Sequence, residues 1–222
     1  MSKPRKEPKP ISPKVKSLNE QLARKRGIRS LKKRFLIVCE DTKSSLAYFD
    51  TLRVYLALDA TSVKVAHSGG KTQPIQVVNE AIRLKEQSAS DESGTVPFSQ
   101  VWCVIDGDSG PKINNARTSA ESHDIQLAIS TKCFEYWILL HFEENDSSTM
   151  DCDALVIALR KKHIPNYDKG KTSHQDIVKN VILACRRAEK LRQPGIERGE
   201  MPENQNPCSE VYKLVNAIRD ES

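Results

Sequence analysis

No stretch of this sequence approaches the roughly 20 consecutive apolar residues that a bilayer-crossing helix needs. Its opening, MSKPRKEPKP, has no apolar core of the kind a secretory signal contains. Membrane insertion and secretion are therefore not expected, and the chain reads as cytoplasmic, with no membrane partner. No CxxC occurs: the six cysteines stand at 39, 103, 133, 152, 185 and 208, never closer than 19 positions. Several sit inside apolar strings, which predicts buried, reduced thiols. There is no internal repeat. There is also no complete P-loop. Gly70-Lys71-Thr72 and Gly170-Lys171-Thr172 imitate its tail, but the earlier glycine is replaced by Val65 and Pro165. An intrinsic ATPase is not expected. Lys169, Lys171 and His174 read as an exposed basic loop, with phosphate contact the alternative.

Negative charge is scarce at the start. Residues 1–34 hold thirteen Lys/Arg against two acids, Glu7 and Glu20, whereas the remainder holds 22 basic and 27 acidic residues. The chain of 222 residues thus joins a basic arm (1–34) to a mildly acidic body. Such an arm attracts polyanions and can order on nucleic acid. Arg24, Lys25, Arg26, Arg29, Lys32, Lys33 and Arg34 are its candidate phosphate contacts. With 38% hydrophobic and 29% charged residues the body is that of a folded, polar domain.

Within the body, apolar runs and helical spacings alternate. Phe35–Cys39 and Gln100–Ile105 are short continuous apolar runs, as in buried parallel strands. A shorter β-prone stretch covers 62–66, and a further strand 124–129. Leu46, Phe49, Leu52 and Leu56 mark a helix capped by Ser44 or Ser45. Helices are also predicted over 74–87, 113–121 and 133–142, and a short basic one over 13–33. The order β-α-β-α-β-α-β-α implies an α/β fold, Rossmann-like, with a mostly parallel sheet flanked by helices over 35–150. Beyond it, helices near 151–162, 174–192 and 209–219 form a helical C-terminal extension (151–222), with polar loops between them.

Parallel α/β sheets place ligands outside the carboxyl ends of their strands. The first strand runs directly into Glu40-Asp41 and the strand 100–105 into Asp106-Gly107-Asp108. If the two strands are neighbours, Glu40, Asp106 and Asp108 converge, and such carboxylates call for a shared divalent cation. Hard oxygen ligands select Mg²⁺ or Mn²⁺. Glu135, an acid in an apolar segment, and His141, on an apolar helical stripe, are further candidates. The bland alternatives are a first-turn glutamate and a satisfied core histidine.

The segments RFLIVCEDTKSSLAYFDTLR, VWCVIDGD, AISTKCFEYWILLHFEE, PNYDKGK and NPCSEVYKLV resemble, in order, those of the RloB (AbiLii-like) family. The acid after the first strand and the DxD after a later one resemble the Toprim arrangement. The resemblance implies a Toprim-like fold and a Mg²⁺- or Mn²⁺-dependent nuclease acting on DNA or RNA/tRNA. It further implies a role in antiphage defence beside an AAA/ABC-type ATPase partner. Glu40 then corresponds to the Toprim glutamate, Asp106 and Asp108 to the metal-binding pair, and Lys43 to a nearby catalytic cation. Where the family usually reads CEGEKTE this chain reads CEDTKSS, so Asp41 replaces a glycine while Thr42 and Ser45 replace acids. Asp41 is accordingly a further candidate ligand. The competing readings are a catalytically inactive nucleic-acid-binding adaptor that regulates the ATPase, and a phosphoacceptor receiver domain. A homo-oligomer is compatible with all of them.

Overall fold

Phe35–Cys39 (β1) is buried along its whole length, as a strand covered on both faces must be. A computed structural model describes residues 33–70, 73–91 and 95–221 of the chain. The helix expected over 13–33 and the arm residues Arg24, Lys25, Arg26, Arg29 and Lys32 lie outside them. β1 is flanked by β2 (Val63–His67) and β3 (Gln100–Asp106), β3 pairs with β4 (Gln126–Thr131), and β4 with β5 (Cys208–Ser209). The order is β2-β1-β3-β4-β5, parallel except for β5.

The side chains of β1 divide two cores. Phe35, Ile37 and Cys39 face one side with α1 (Ser44–Tyr55), while Leu36 and Val38 face the other with α2 (Pro74–Ala89) and α3 (Lys112–Ser122). The β1-to-β2 crossover and the β2-to-β3 and β3-to-β4 crossovers run in opposite directions on opposite faces. All three therefore share one hand, as parallel crossovers require. On the α1 face also lie α4 (Phe134–Leu140), α5 (Cys152–Lys162), α6 (Val181–Glu197) and α7 (Val211–Asp220), which complete one continuous core with it. In α7 the apolar side chains Val211, Leu214, Val215 and Ile218 recur at helical spacing and all are buried. The Asp151 carboxylate accepts from Ala154 N at 2.8 Å to cap α5, whose last turn carries Arg160, Lys161 and Lys162 beside the exposed carbonyls. This is an α/β fold with a five-stranded, mostly parallel, Rossmann-like sheet flanked by seven helices among the described residues.

Four local expectations are corrected. Neither Ser44 nor Ser45 caps α1. The N-cap position is Lys43, and the Asp41 carboxylate two residues before it takes the capping role, accepting from Lys43 N at 2.5 Å and Ser45 N at 2.9 Å. The helix expected over 174–192 starts at Val181 and runs through Pro194 to Glu197. Gly195 leaves room there for the Gln205 amide, which accepts from Arg192 at 2.7 Å and donates to Leu191 O at 2.6 Å, holding the final turn. Ser209, expected to open the last helix, instead forms β5 with Cys208, because the outer edge of β4 offers backbone partners: Glu210 N donates to Ile129 O at 2.7 Å. Finally, Cys133 and Cys152 form a disulfide with Cα atoms 6.0 Å apart, while Cys39, Cys103, Cys185 and Cys208 are buried free thiols.

Candidate metal centre

The strand order reverses between β1 and β3, since the chain leaves β1 toward one edge and returns through β3 toward the other. The crevice at the carboxyl ends of such a strand pair is where doubly wound sheets bind ligands. Glu40 and Asp106 stand there. Glu40 N extends the ladder to Val104 O at 3.0 Å, and the Glu40 carboxylate accepts from Asp106 N at 3.0 Å. Asp106 in turn accepts from Phe134 N at 3.0 Å through Oδ1. Each carboxylate keeps an oxygen outside these bonds, and both line a cavity of about 260 Å³.

Burial and mutual repulsion act on both groups. Burial pushes the Glu40 carboxyl up to about 7, with Asp108 and Asp41 adding to the shift and the Asp106 N–H opposing it. Burial likewise raises Asp106 well above the carboxylate range, reinforced by Glu40, Glu135, Asp41 and Asp108. Two desolvated carboxyls that favour their protonated forms are in the situation a bound cation relieves. As all-oxygen donors they fit a hard divalent ion. Among the described residues no group of three His, Cys, Asp or Glu side chains is arranged around one ion position.

The turn after β3 is tight. A Cβ on Gly107 would lie 3.0 Å from Thr131 Cα and still closer to that side chain, so glycine lets the DGD segment pass against the end of β4. Asp108 lies just beyond it, exposed, close enough to act on Glu40 and Asp106 but off the cavity lining. Asp41 and Lys43 line the cavity, Asp41 while serving as the cap of α1.

Glu135 is 1% exposed and also lines this cavity. Its Oε1 accepts from Ser44 Oγ at 2.7 Å and Tyr167 Oη at 3.2 Å, and its Oε2 from Lys169 Nζ at 2.7 Å. Ser44, Tyr167 and Lys169 are site residues that the sequence pattern did not single out for this role. The loop expected to be simply exposed sends Tyr167 and His174 into the interior and Lys169 into the cavity. Only the PNYDKGK string hinted at it. His141 lies in the core: Nδ1 donates to Trp137 O at 2.9 Å and Nε2 accepts from Tyr48 Oη at 2.9 Å. Burial lowers it to about 3, which favours the neutral form, and it is not among the residues that line the cavity.

The two described arm residues are elsewhere. Lys33 pairs with Glu221 at 2.7 Å. The Arg34 guanidinium lies 4.5 Å over the Phe98 ring and donates to Thr61 O at 2.7 Å and to Val96 O. Both sit before β1, about 20 Å of extended chain from Glu40.

Fold and site together define a doubly wound α/β protein with a carboxylate pair at its switch point. The family model of RloB-like proteins matches residues 35–218, and the chain belongs to that family. No curated protein and no solved structure matched the chain. None of the helices among the described residues is long and apolar enough to cross a membrane.

Proposed function

We propose that this chain is a Mg²⁺- or Mn²⁺-dependent nuclease with a Toprim-like site, acting in the cytoplasm in antiphage defence together with an AAA/ABC-type ATPase. The observation that carries the reading is the pairing of Glu40 and Asp106, half-buried, adjacent and both shifted toward protonation, at the switch point of the sheet. Membership of the RloB-like family supports the defence setting. Glu40 and Asp106 would hold the ion through their outward oxygens, with Asp108 reaching in from the rim. A divalent ion bound there neutralises charge on a phosphodiester and acidifies water. Glu40 orients the attacking water, Lys43 adds positive charge beside the cavity, and the basic arm supplies sequence-independent attraction for DNA or RNA. The test is incubation with plasmid, single-stranded DNA and tRNA under Mg²⁺ and under Mn²⁺, with and without the ATPase. Metal-dependent cleavage that disappears in Glu40→Gln supports the mechanism, and cleavage surviving that substitution counts against it.

One observation favours a second reading, an inactive adaptor that binds nucleic acid and regulates the ATPase. Asp41, the acid peculiar to this chain, is engaged as a helix cap, and no three-ligand cluster occurs among the described residues. Calorimetry without heat of Mn²⁺ binding would select it.

A further inference from the structure

Two lysines line the acidic cavity, Lys43 and Lys169. Lys169 is the one whose ammonium is held by a carboxylate of the cavity wall, 2.7 Å from Glu135 Oε2. The geometry around it is unusually complete for an ion pair. Glu135 has a side chain 2% exposed, and three donors, the hydroxyls of Ser44 and Tyr167 and the Lys169 ammonium, occupy both its oxygens. A carboxylate so surrounded is an anchor rather than a vacant ligand.

Lys169 itself remains 42% exposed at its side chain, so its head group reaches from the buried anchor to the open side of the cavity. Its backbone is equally fixed. Asp168 N donates to Thr172 Oγ1 at 2.7 Å, Gly170 N to Asp168 Oδ1 at 2.9 Å, and Thr172 N to Asp168 O at 2.9 Å. Tyr167, below it, is buried and its carbonyl accepts from Arg160 Nε at 2.9 Å. An ammonium has three N–H donors, of which Glu135 takes one. Glu40 and Asp106 line the same cavity as Lys169. A phosphodiester entering it meets these carboxylates, and a fixed cation beside them offsets their repulsion. Stability alone is a poor reason for the arrangement, because ion pairs with a buried member gain little over apolar replacements.

We propose that Lys169 is a further catalytic residue, donating to a non-bridging oxygen of the scissile phosphodiester, and that Glu135, Ser44 and Tyr167 are positioning residues that hold it. The inference rests on the nuclease reading above. It assigns Glu135 to the lysine and not to the metal.

The experiment uses the full chain, a fluorescein-labelled single-stranded DNA of about 20 nucleotides, and the variants Lys169→Gln, Lys169→Arg and Glu40→Gln. Lys169→Gln removes the charge and leaves a somewhat shorter side chain that still carries N–H donors. In Ca²⁺, the slope of log affinity against log salt should fall by about 0.7 in Lys169→Gln, the release expected for one phosphate contact on a single strand. Cleavage in Mg²⁺ should fall by about 10²- to 10³-fold in kcat. Lys169→Arg should recover the salt slope and part of the rate, and Mn²⁺ stoichiometry should match wild type in both. An unchanged slope and rate in Lys169→Gln, beside an inactive Glu40→Gln, overturns the inference and leaves the nuclease reading standing. A wild type that binds the strand without cleaving it leaves the salt slope to decide the phosphate contact, an unchanged slope overturning it. A wild type that does not bind the strand overturns the inference.

Discussion

The backbone amide of Asp106 donates to the carboxylate of Glu40 at 3.0 Å, so the ends of two adjacent parallel strands are tied by the acids that would share an ion. The bond fixes the separation of the two carboxyls before any cation arrives. It opposes the burial that raises Glu40 but does not cancel it, and the group stays near 7. The site is therefore stabilised by protons, and under the proposed reading a bound cation would relieve the same repulsion.

That competition sets a sign. The folded Glu40 carboxyl lies at about 7 against an ordinary 4.5, so the folded state binds the proton more tightly than the unfolded one. The stability this contributes is complete below pH 4.5 and lost as pH rises through 7. Without divalent ions, wild type should lose roughly 2 kcal/mol relative to Glu40→Gln between pH 4.5 and 8, after discounting for its partial exposure. Millimolar Mg²⁺ should reverse the trend at the alkaline end. Urea denaturation of both proteins at the two pH values, with and without Mg²⁺, measures it.

Gly107 makes the second prediction. Its missing Cβ would meet Thr131, whose Oγ1 donates to Pro202 O at 3.2 Å and cannot easily turn away. Gly107→Ala should therefore cost about 1–3 kcal/mol through overpacking. The DGD turn would also move, and Asp106 with it. A lowered thermal midpoint together with weaker Mn²⁺ binding in calorimetry is the expected pair of results. Unchanged stability would show that the turn has slack the structure does not display.

Asp41 is decided by capping. It accepts from Lys43 N and Ser45 N, and loss of an N-cap costs typically about 1 kcal/mol. Asp41→Ala should lower the unfolding free energy by that much while leaving the number of Mn²⁺ ions bound unchanged. Asp41→Ser should restore most of the stability. A lost ion in Asp41→Ala would return Asp41 to the ligand set.

What the sequence made legible follows from what is local in it. The runs Phe35–Cys39 and Gln100–Ile105 announce buried strands by themselves, and Glu40 and Asp106 take their places simply by following those runs. Their adjacency required only that the two strands be neighbours. The remainder of the site depends on distant pairings. Ser44 meets Glu135 from 91 positions away, and Lys169 reaches it from 34 away out of a loop without periodicity. No spacing rule encodes such contacts. The cap of α1 is hard to place for a related reason: serine, threonine and aspartate crowd the start of the helix and compete for its free N–H groups, and only the contacts of the Asp41 carboxylate decide between them. β5 was hidden because two residues are too few to show a strand period.

His141 supplies the last prediction. Its ring is 1% exposed, donates to Trp137 O and accepts from Tyr48 Oη, which requires the neutral form. Burial holds it at about 3 against an ordinary 6.5, so the unfolded chain binds the proton more readily across that interval. The stability contributed is full above pH 6.5 and is lost as pH falls toward 3. Burial lowers His174 in the same direction, whereas Glu40 and Asp106, both raised, act oppositely over part of the range. The total acid response of the protein is thus a poor measure of His141. The difference between wild type and His141→Gln isolates it, since the other groups cancel and the altered bond to Tyr48 adds a constant offset. Wild type should lose stability relative to the variant as pH falls from 7 to 4, by up to a few kcal/mol. A flat difference would mean that His141 is already open to protons in the native state, and the Tyr48–His141–Trp137 chain would then have to be regarded as a working proton path.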